Sequence, residues 1–189
     1  MAREKFEDIL EMSPVIAAIK DENALTKAIK SDCKIVFILY GTICNIADIV
    51  AKIHDADKIA IVHADLINGL SPKDVAIDFI KNNTGADGVI STKPLLIKRA
   101  KDLGLIAIQR TFIIDSIAYN NMLKQIKEYT PDAIEILPGV MPRVTQSIRE
   151  KTDIAIIASG LLRDKKDIYM AIESGADAIS TTENTLWSV

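Results

Sequence analysis

Glu135 interrupts a run, DAIEILPG (132–139), that otherwise reads as a buried strand ended by Pro138-Gly139. An unpaired carboxylate in such a place is expensive to bury, so Glu135 must meet a cation, a donor or a ligand. Polar residues recur at the ends of the other apolar runs. They are Lys20; His63 and Asp65; Ser91, Thr92 and Lys93; Gln109 and Arg110; Ser159 and Gly160; and Ser180, Thr181 and Thr182. Brought together, Lys20 and Lys93 would neutralise Glu135 and Asp65, which makes each burial tolerable. Such a cluster can bind hydroxyls or move a proton. A second chemistry is anion binding. ASGLL (158–162) and STTEN (180–184) supply a glycine, several hydroxyls and helix starts. Small residues there let backbone N–H groups approach phosphate oxygens.

Eight β-branched runs must position these groups: PVIAAI (14–19), IVFILYG (35–41), KIAIVHAD (58–65), DGVIST (87–92), LIAIQRT (105–111), AIEILPG (133–139), DIAIIASG (153–160) and ADAIST (176–181). Helical signals lie between them. SPKDVAIDFI offers Ser71 as N-cap and Pro72 at the first helical position, KPLLIKRAKDLG ends at Gly104, and KDIYMAIESG ends at Gly175. Near-continuous apolar strands alternating with helices predict a parallel sheet covered on both faces. Eight units predict closure into a compact (β/α)8 TIM-barrel-like α/β domain spanning 1–189. The alternative is an open doubly wound sheet, but no G-x-G-x-x-G follows strand one. KFEDILEM (5–12) reads as an extra helix, capping the barrel bottom or covering strand eight.

Barrel chemistry sits at the C-terminal strand ends, and side chains alternate with period two. Strand six then turns Glu135, Leu137 and Gly139 inward, away from Ile134 and Ile136. Strand three groups Ile61, His63 and Asp65, while strand five sets Ala107, Gln109 and Thr111 opposite Ile106 and Ile108. The expectation is one polar mouth. Its ligand-binding members would be Lys20, His63, Asp65, Ser91, Lys93, Gln109, Arg110, Glu135 and Gly139. Ser159, Gly160, Ser180 and Thr181 form the phosphate-binding arc, since loops after strands seven and eight of such barrels often hold phosphate. Plainer readings stand beside these. Glu135 also suits a structural ion pair, Ser159-Gly160 an ordinary turn, and Lys98, Arg99 and Lys101 a solvated helix face.

Bulk composition narrows the partners. Hydrophobic residues at 49 % supply a core, and a net charge of −3 gives no global attraction to nucleic acid. No apolar stretch approaches membrane-spanning length, and MAREKFEDIL lacks a signal-peptide layout, so a cytoplasmic protein without membrane partners is expected. Cys33 and Cys44 lack metal-type spacing, and Cys44 has no evident base partner. His63 and Asp65 lack a third metal ligand, so neither metal nor cofactor is expected.

HADLINGLS, DGVISTK, GLIAIQRTFIIDS, DAIEILPGVMPRV and GADAISTTENTLW together resemble the glycerol uptake operon antiterminator regulatory protein family, over about Met12 to Trp187. The resemblance implies a TIM-barrel-like regulator that senses glycerol 3-phosphate and binds leader messenger RNA to prevent early termination. The family's signature positions standing unchanged include His63, Asp65, Ser91, Thr92, Lys93, Gln109, Arg110, Glu135, Pro138 and Gly139. Where the family usually has Ala-Gly-Gly, this chain has Ala158-Ser159-Gly160.

Two functions compete. A ligand-gated RNA-binding regulator needs a local basic surface, which a homodimer would assemble from Lys98, Arg99, Lys101, Arg143 and Arg149. An enzyme acting on a small phosphorylated polyol or phosphosugar would use Lys20, Lys93 and Glu135 as electrophile and base.

Overall fold

The computed structural model describes residues 2–188. In chain order its elements are α1 (Ala2–Met12), β1 (Val15–Ile19), α2 (Glu22–Lys30), β2 (Ile35–Ile38), α3 (Ile46–His54), β3 (Ile59–His63), α4 (Val75–Asn83), β4 (Gly88–Ser91), α5 (Pro94–Asp102), β5 (Ile106–Phe112), α6 (Ser116–Tyr129), β6 (Ala133–Leu137), α7 (Pro142–Arg149), β7 (Ala155–Ser159), α8 (Lys165–Glu173) and β8 (Ala178–Thr181). Each strand pairs in parallel with the next, and β8 returns to β1, so the sheet closes. The barrel displaces the open-sheet alternative.

Two apolar shells hold it. Between sheet and helices, Val36, Val62, Val89, Ala107, Ile134, Ile136 and Ile179 pack against helix residues such as Ile49, Ile80, Ile97 and Met122. Inside the barrel, Ile16, Phe37, Ile61, Ile90, Ile108 and Ile157 form a second cluster, closed below by Phe6 and Leu10 of α1. The leading helix therefore caps the barrel bottom. The two faces differ in residue size at β5, where Ala107 faces the helices and Ile106 and Ile108 fill the interior.

Local signals explain the helix ends. Asp21, Asp115 and Asp164 each accept the backbone N–H three residues on, a side-chain N-cap. Pro94 and Pro142 start α5 and α7. The start of α4 differs from expectation. Its cap is Asp74, whose carboxylate accepts Val75 N, and Ser71-Pro72 stay in the preceding loop.

At the barrel bottom one device recurs at equal spacing along the chain. Asp87, Asp132 and Asp177 precede β4, β6 and β8 and accept the N–H of Ala60, Ala107 and Ile156 on the strand before. Each carboxylate also meets a basic side chain: His54, Lys101 and Arg149 respectively. These aspartates satisfy strand-end donors that would otherwise be stranded at the edge of a buried sheet.

Candidate functional site at the barrel mouth

Glu135 lies inside the barrel with no exposed surface. Its cation is Arg110, its register partner on β5. Arg110 Nε and Nη2 donate to Oε2 and Oε1 at 2.5 and 3.2 Å, a two-point guanidinium–carboxylate contact. The lysine partners expected for Glu135 are thus replaced by an arginine one strand away. The reason is the parity of β5: Arg110 follows Ile106 and Ile108 into the interior. Gln109 follows Ala107 toward the helices, and its Nε2 donates to the carbonyls of Thr92 and Arg110.

Asp65 also departs from the expected face. β3 ends at His63, and Ala64–Leu66 form a single 3-10 turn. The turn swings the Asp65 carboxylate toward the end of β4. There it accepts from Ser91 Oγ (2.9 Å), Thr92 N (2.7 Å), Thr92 Oγ1 (3.0 Å) and Lys93 Nζ (2.8 Å). Burial alone would raise this carboxyl, but the bonds from Lys93, Thr92 and Ser91 outweigh it and hold it below the usual carboxylate range. Lys93 and Asp65 therefore do pair, as the charge pattern suggested.

His63 points inward, is 2 % exposed, and has no hydrogen-bond partner at either ring nitrogen. Burial first, then the Arg110 charge, pushes its pKa down to about 4. The imidazole is neutral at pH 7, with a donor and an acceptor both available. A depressed histidine favours the folded state fully above the unfolded value of ~6.5, and that contribution falls as pH drops toward the folded value. Stability is expected to decline by up to about 3 kcal/mol between roughly pH 6.5 and 4 from this group alone. Urea melts across that range test it: His63→Gln should flatten the slope, and an unchanged slope would assign the effect elsewhere.

A cavity of about 170 Å³ opens at the tops of β5 to β8, with Ala18 of β1 and Leu39 after β2 closing its far side. Its polar wall is Arg110, Ser159, Gly160, Ser180, Thr181 and Thr182, and its apolar wall includes Leu39, Leu137, Leu161 and Leu162. Ser180 is 1 % exposed, and its Oγ has no partner. Ser159 Oγ donates to Ser180 O, tying β7 to β8. Gly160 and Leu161 both have positive φ, +79° and +63°, so a non-glycine residue is held in left-handed backbone at the cavity edge. Gly139 sits against this bend. A Cβ on it would lie 2.8 Å from Ser159 N, and its own N–H donates to Gly160 O.

The structure thus gathers Arg110, Ser159, Gly160, Ser180 and Thr181 around one cavity, with Glu135 behind Arg110. Asp65, Ser91 and Lys93 form a neighbouring network, and Lys20 stands exposed just beyond β1. Thr182 and Leu161-Leu162 belong to the strand-end motifs but stand outside the residues expected to bind. Leucines carry no chemical signal, and the bend at Gly160 and Leu161 is what sets both residues against the cavity. Among the described residues no three His, Cys, Asp or Glu side chains are placed to share a metal ion.

The model of the glycerol-3-phosphate responsive antiterminator family matches residues 15–187, nearly the whole barrel. The chain belongs to that family. It is 46 % identical over 181 residues to the uncharacterized protein YgcP of Escherichia coli (strain K12), covering 96 % of this chain and 95 % of YgcP. The crystal structure of a glycerol uptake operon antiterminator regulatory protein from Listeria monocytogenes superposes with a TM-score of 0.89 at 36 % identity, covering 92 % of this chain and 94 % of that one. A glycerol uptake operon antiterminator-related protein from Thermotoga maritima MSB8 gives a TM-score of 0.83 at 32 % identity, over 93 % and 98 %. Antitermination and glycerol metabolism are therefore the family's setting. No helix among the described residues is long and apolar enough to cross a membrane.

Proposed function

We propose that this antiterminator-family chain senses glycerol 3-phosphate in the cavity at the β5–β8 mouth and, in response, binds leader RNA. The observation that carries the ligand half is the cavity wall. An arginine, an unpartnered and buried Ser180 hydroxyl, and the bent backbone of Gly160 to Leu162 converge on a space of about 170 Å³. That is below the ~300–1,000 Å³ of sites for drug-sized ligands and suits a three-carbon phosphate. The phosphate takes the N–H groups of the β7–α8 loop and the unpartnered Ser180 hydroxyl, while the Ser159 and Thr181 hydroxyls, donating to the carbonyls of Ser180 and Leu162, brace the wall. Arg110 supplies the positive charge, its remaining Nη1 being outside the Glu135 contact. This role belongs to Arg110 rather than Lys20, which is exposed, or Lys93, whose amine is engaged by Asp65. The glycerol end lies along Arg110 and the leucine wall, and His63, buried and neutral within reach of the Arg110 charge, adds no charge to the site. Gly139 holds the loop in register, while Asp65, Ser91 and Gln109 keep the adjoining β4–β5 wall in place.

The enzyme reading takes its electrophile and base from Lys20, Lys93 and Glu135. Glu135 is locked on Arg110 and Lys93 on Asp65, which leaves little for proton transfer. A thermal-shift panel of glycerol 3-phosphate, glycerol, inorganic phosphate and hexose phosphates tests the ligand. At a hundredfold excess over Kd, binding adds about 2.7 kcal/mol, roughly 5–10 °C for a chain of this size. That shift is expected for glycerol 3-phosphate and not for glycerol or phosphate. Equal shifts for phosphate alone, or turnover of any phosphosugar, would sink this reading.

A further inference from the structure

The basic surface expected from the sequence is largely spent on folding. Arg99 pairs with Asp78, Lys101 with Asp132 and Arg149 with Asp177. A groove of about 680 Å³ beside α5 contains Lys73, Lys93, Lys98 and Arg99, but two of these are paired, and Asp74 and Asp102 share its walls. That groove offers a polyanion little net attraction.

The rim of the mouth over β6 and β7 is different. α7 and α8 begin at that end of the barrel, and their first turns carry Arg143, Lys165 and Lys166, with Arg163 in the loop before α8. All four are exposed, and none is in an ion pair among the described residues. The carboxylates of the same stretch are turned to local backbone: Asp164 accepts Asp167 N, and Asp167 accepts Arg163 N. Large apolar side chains stand exposed on the same rim and along α8, namely Phe112, Val140, Leu161 and Tyr169. The loops bearing them are joined, since Phe112 is the register partner of Leu137 and Gly139 N donates to Gly160 O. Unpaired cations interleaved with exposed aromatics are what single-stranded nucleic acid needs: charge for its phosphates and flat faces for its bases.

We infer that the rim formed by the β5–α6, β6–α7 and β7–α8 loops is the RNA-binding surface, and that the β7–α8 loop couples it to the ligand cavity. This rests on the proposed function above. The coupling is short. Gly160 to Leu162 wall the cavity, and Arg163, Lys165 and Lys166 follow within the same loop and first helical turn. A phosphate bound by that backbone fixes the loop, and with it the spacing of the cations.

The test is a salt-dependent filter-binding titration of the operon's leader transcript and an unstructured 20-nucleotide RNA, with and without glycerol 3-phosphate. Lys165→Glu with Lys166→Glu is the main variant. Glutamates in the first turn favour the helix dipole, so folding is retained, and the glycerol 3-phosphate thermal shift serves as the control. RNA affinity is expected to fall at least tenfold, and the slope of log K against log salt to shrink by about 1.4 or more. Lys73→Glu with Lys98→Glu, in the α5 groove, should stay within twofold of wild type. RNA retention that survives the first pair of reversals, or falls equally with the second, overturns the surface assignment while leaving the ligand reading intact. Loss of self-association instead, seen by sedimentation, would assign the rim to a second copy and also overturn it. A wild-type chain that shifts with glycerol 3-phosphate yet retains no RNA at low salt overturns the inference together with the RNA half of the proposed function.

Discussion

Glu135→Ala is expected to destabilise the fold by about 3–5 kcal/mol, because it strands a buried guanidinium. Arg110 is only 10 % exposed and Glu135 fully enclosed, so water replaces the bonds at 2.5 and 3.2 Å poorly. The pair itself contributes far less than that loss suggests. Burying two charges is offset by their mutual attraction only when geometry is good, and well-packed apolar replacements of both are often neutral or stabilising by ~1–4 kcal/mol. Glu135→Leu with Arg110→Met should therefore recover most of the stability lost in Glu135→Ala. Urea unfolding with the m-value checked for constancy measures both. A double variant as unstable as Glu135→Ala would show that the ion pair is not the origin of the loss. Ligand binding separates the roles further. The double variant should be stable yet give no glycerol 3-phosphate shift, since the cation that the proposed site depends on is gone. Glu135 is then a positioning residue: it holds Arg110 in one orientation beneath the cavity, where lone guanidinium rotamers would otherwise compete.

Much of this architecture was legible from residue types. Eight apolar runs separated by helix signals specify a parallel sheet, and their number favours closure. Glu135 was legible as an inward group because its strand neighbours, Ile134 and Ile136, are bulkier and wholly apolar. β5 misled for a physical reason. The interior of a small barrel is as apolar as its outer face, so Ile106 and Ile108 pattern equally well with helices or with Ile61 and Ile90. Ala107 was the better clue, since a small residue there allows close packing against helices. Misreading that face moved Gln109 inward and hid Arg110 as the partner of Glu135. Asp65 misled because alternation holds only while the strand lasts, and a 3-10 turn begins at Ala64. The α4 start was misplaced because Ser71-Pro72 and Asp74 are both credible cap signals, and sequence alone does not rank them. The cavity backbone at Leu161 lay beyond any pattern, since nothing in a leucine announces positive φ.

Gly139→Ala should separate loop geometry from fold stability at the same mouth. The added Cβ would meet Ser159 N at 2.8 Å, Ala158 C at 3.1 Å and Ser159 C at 3.2 Å, all backbone atoms at the end of β7. A flexible side chain would swing aside, but a strand end anchored on both edges does not. The β6–α7 loop must lift instead, breaking the 3.0 Å bond from Gly139 N to Gly160 O. Overpacking of this kind typically costs ~1–3 kcal/mol, less than losing Glu135. The effect on the proposed ligand should be larger in proportion, because Gly160 and Leu161 lose the contact that holds their left-handed bend beneath the phosphate. Glycerol 3-phosphate affinity is expected to fall at least tenfold, about 1.4 kcal/mol, read by calorimetric titration at a temperature where the variant remains folded. Ser180→Ala supplies the contrast: it removes one donor from the cavity without moving backbone, and should weaken binding while leaving the unfolding midpoint near wild type. If Gly139→Ala binds normally, the loop does not position the phosphate, and the weight of recognition shifts to Arg110 and the Ser180 hydroxyl. If Ser180→Ala alone binds normally, the phosphate is held by backbone and Arg110, and Ser180 is a packing residue.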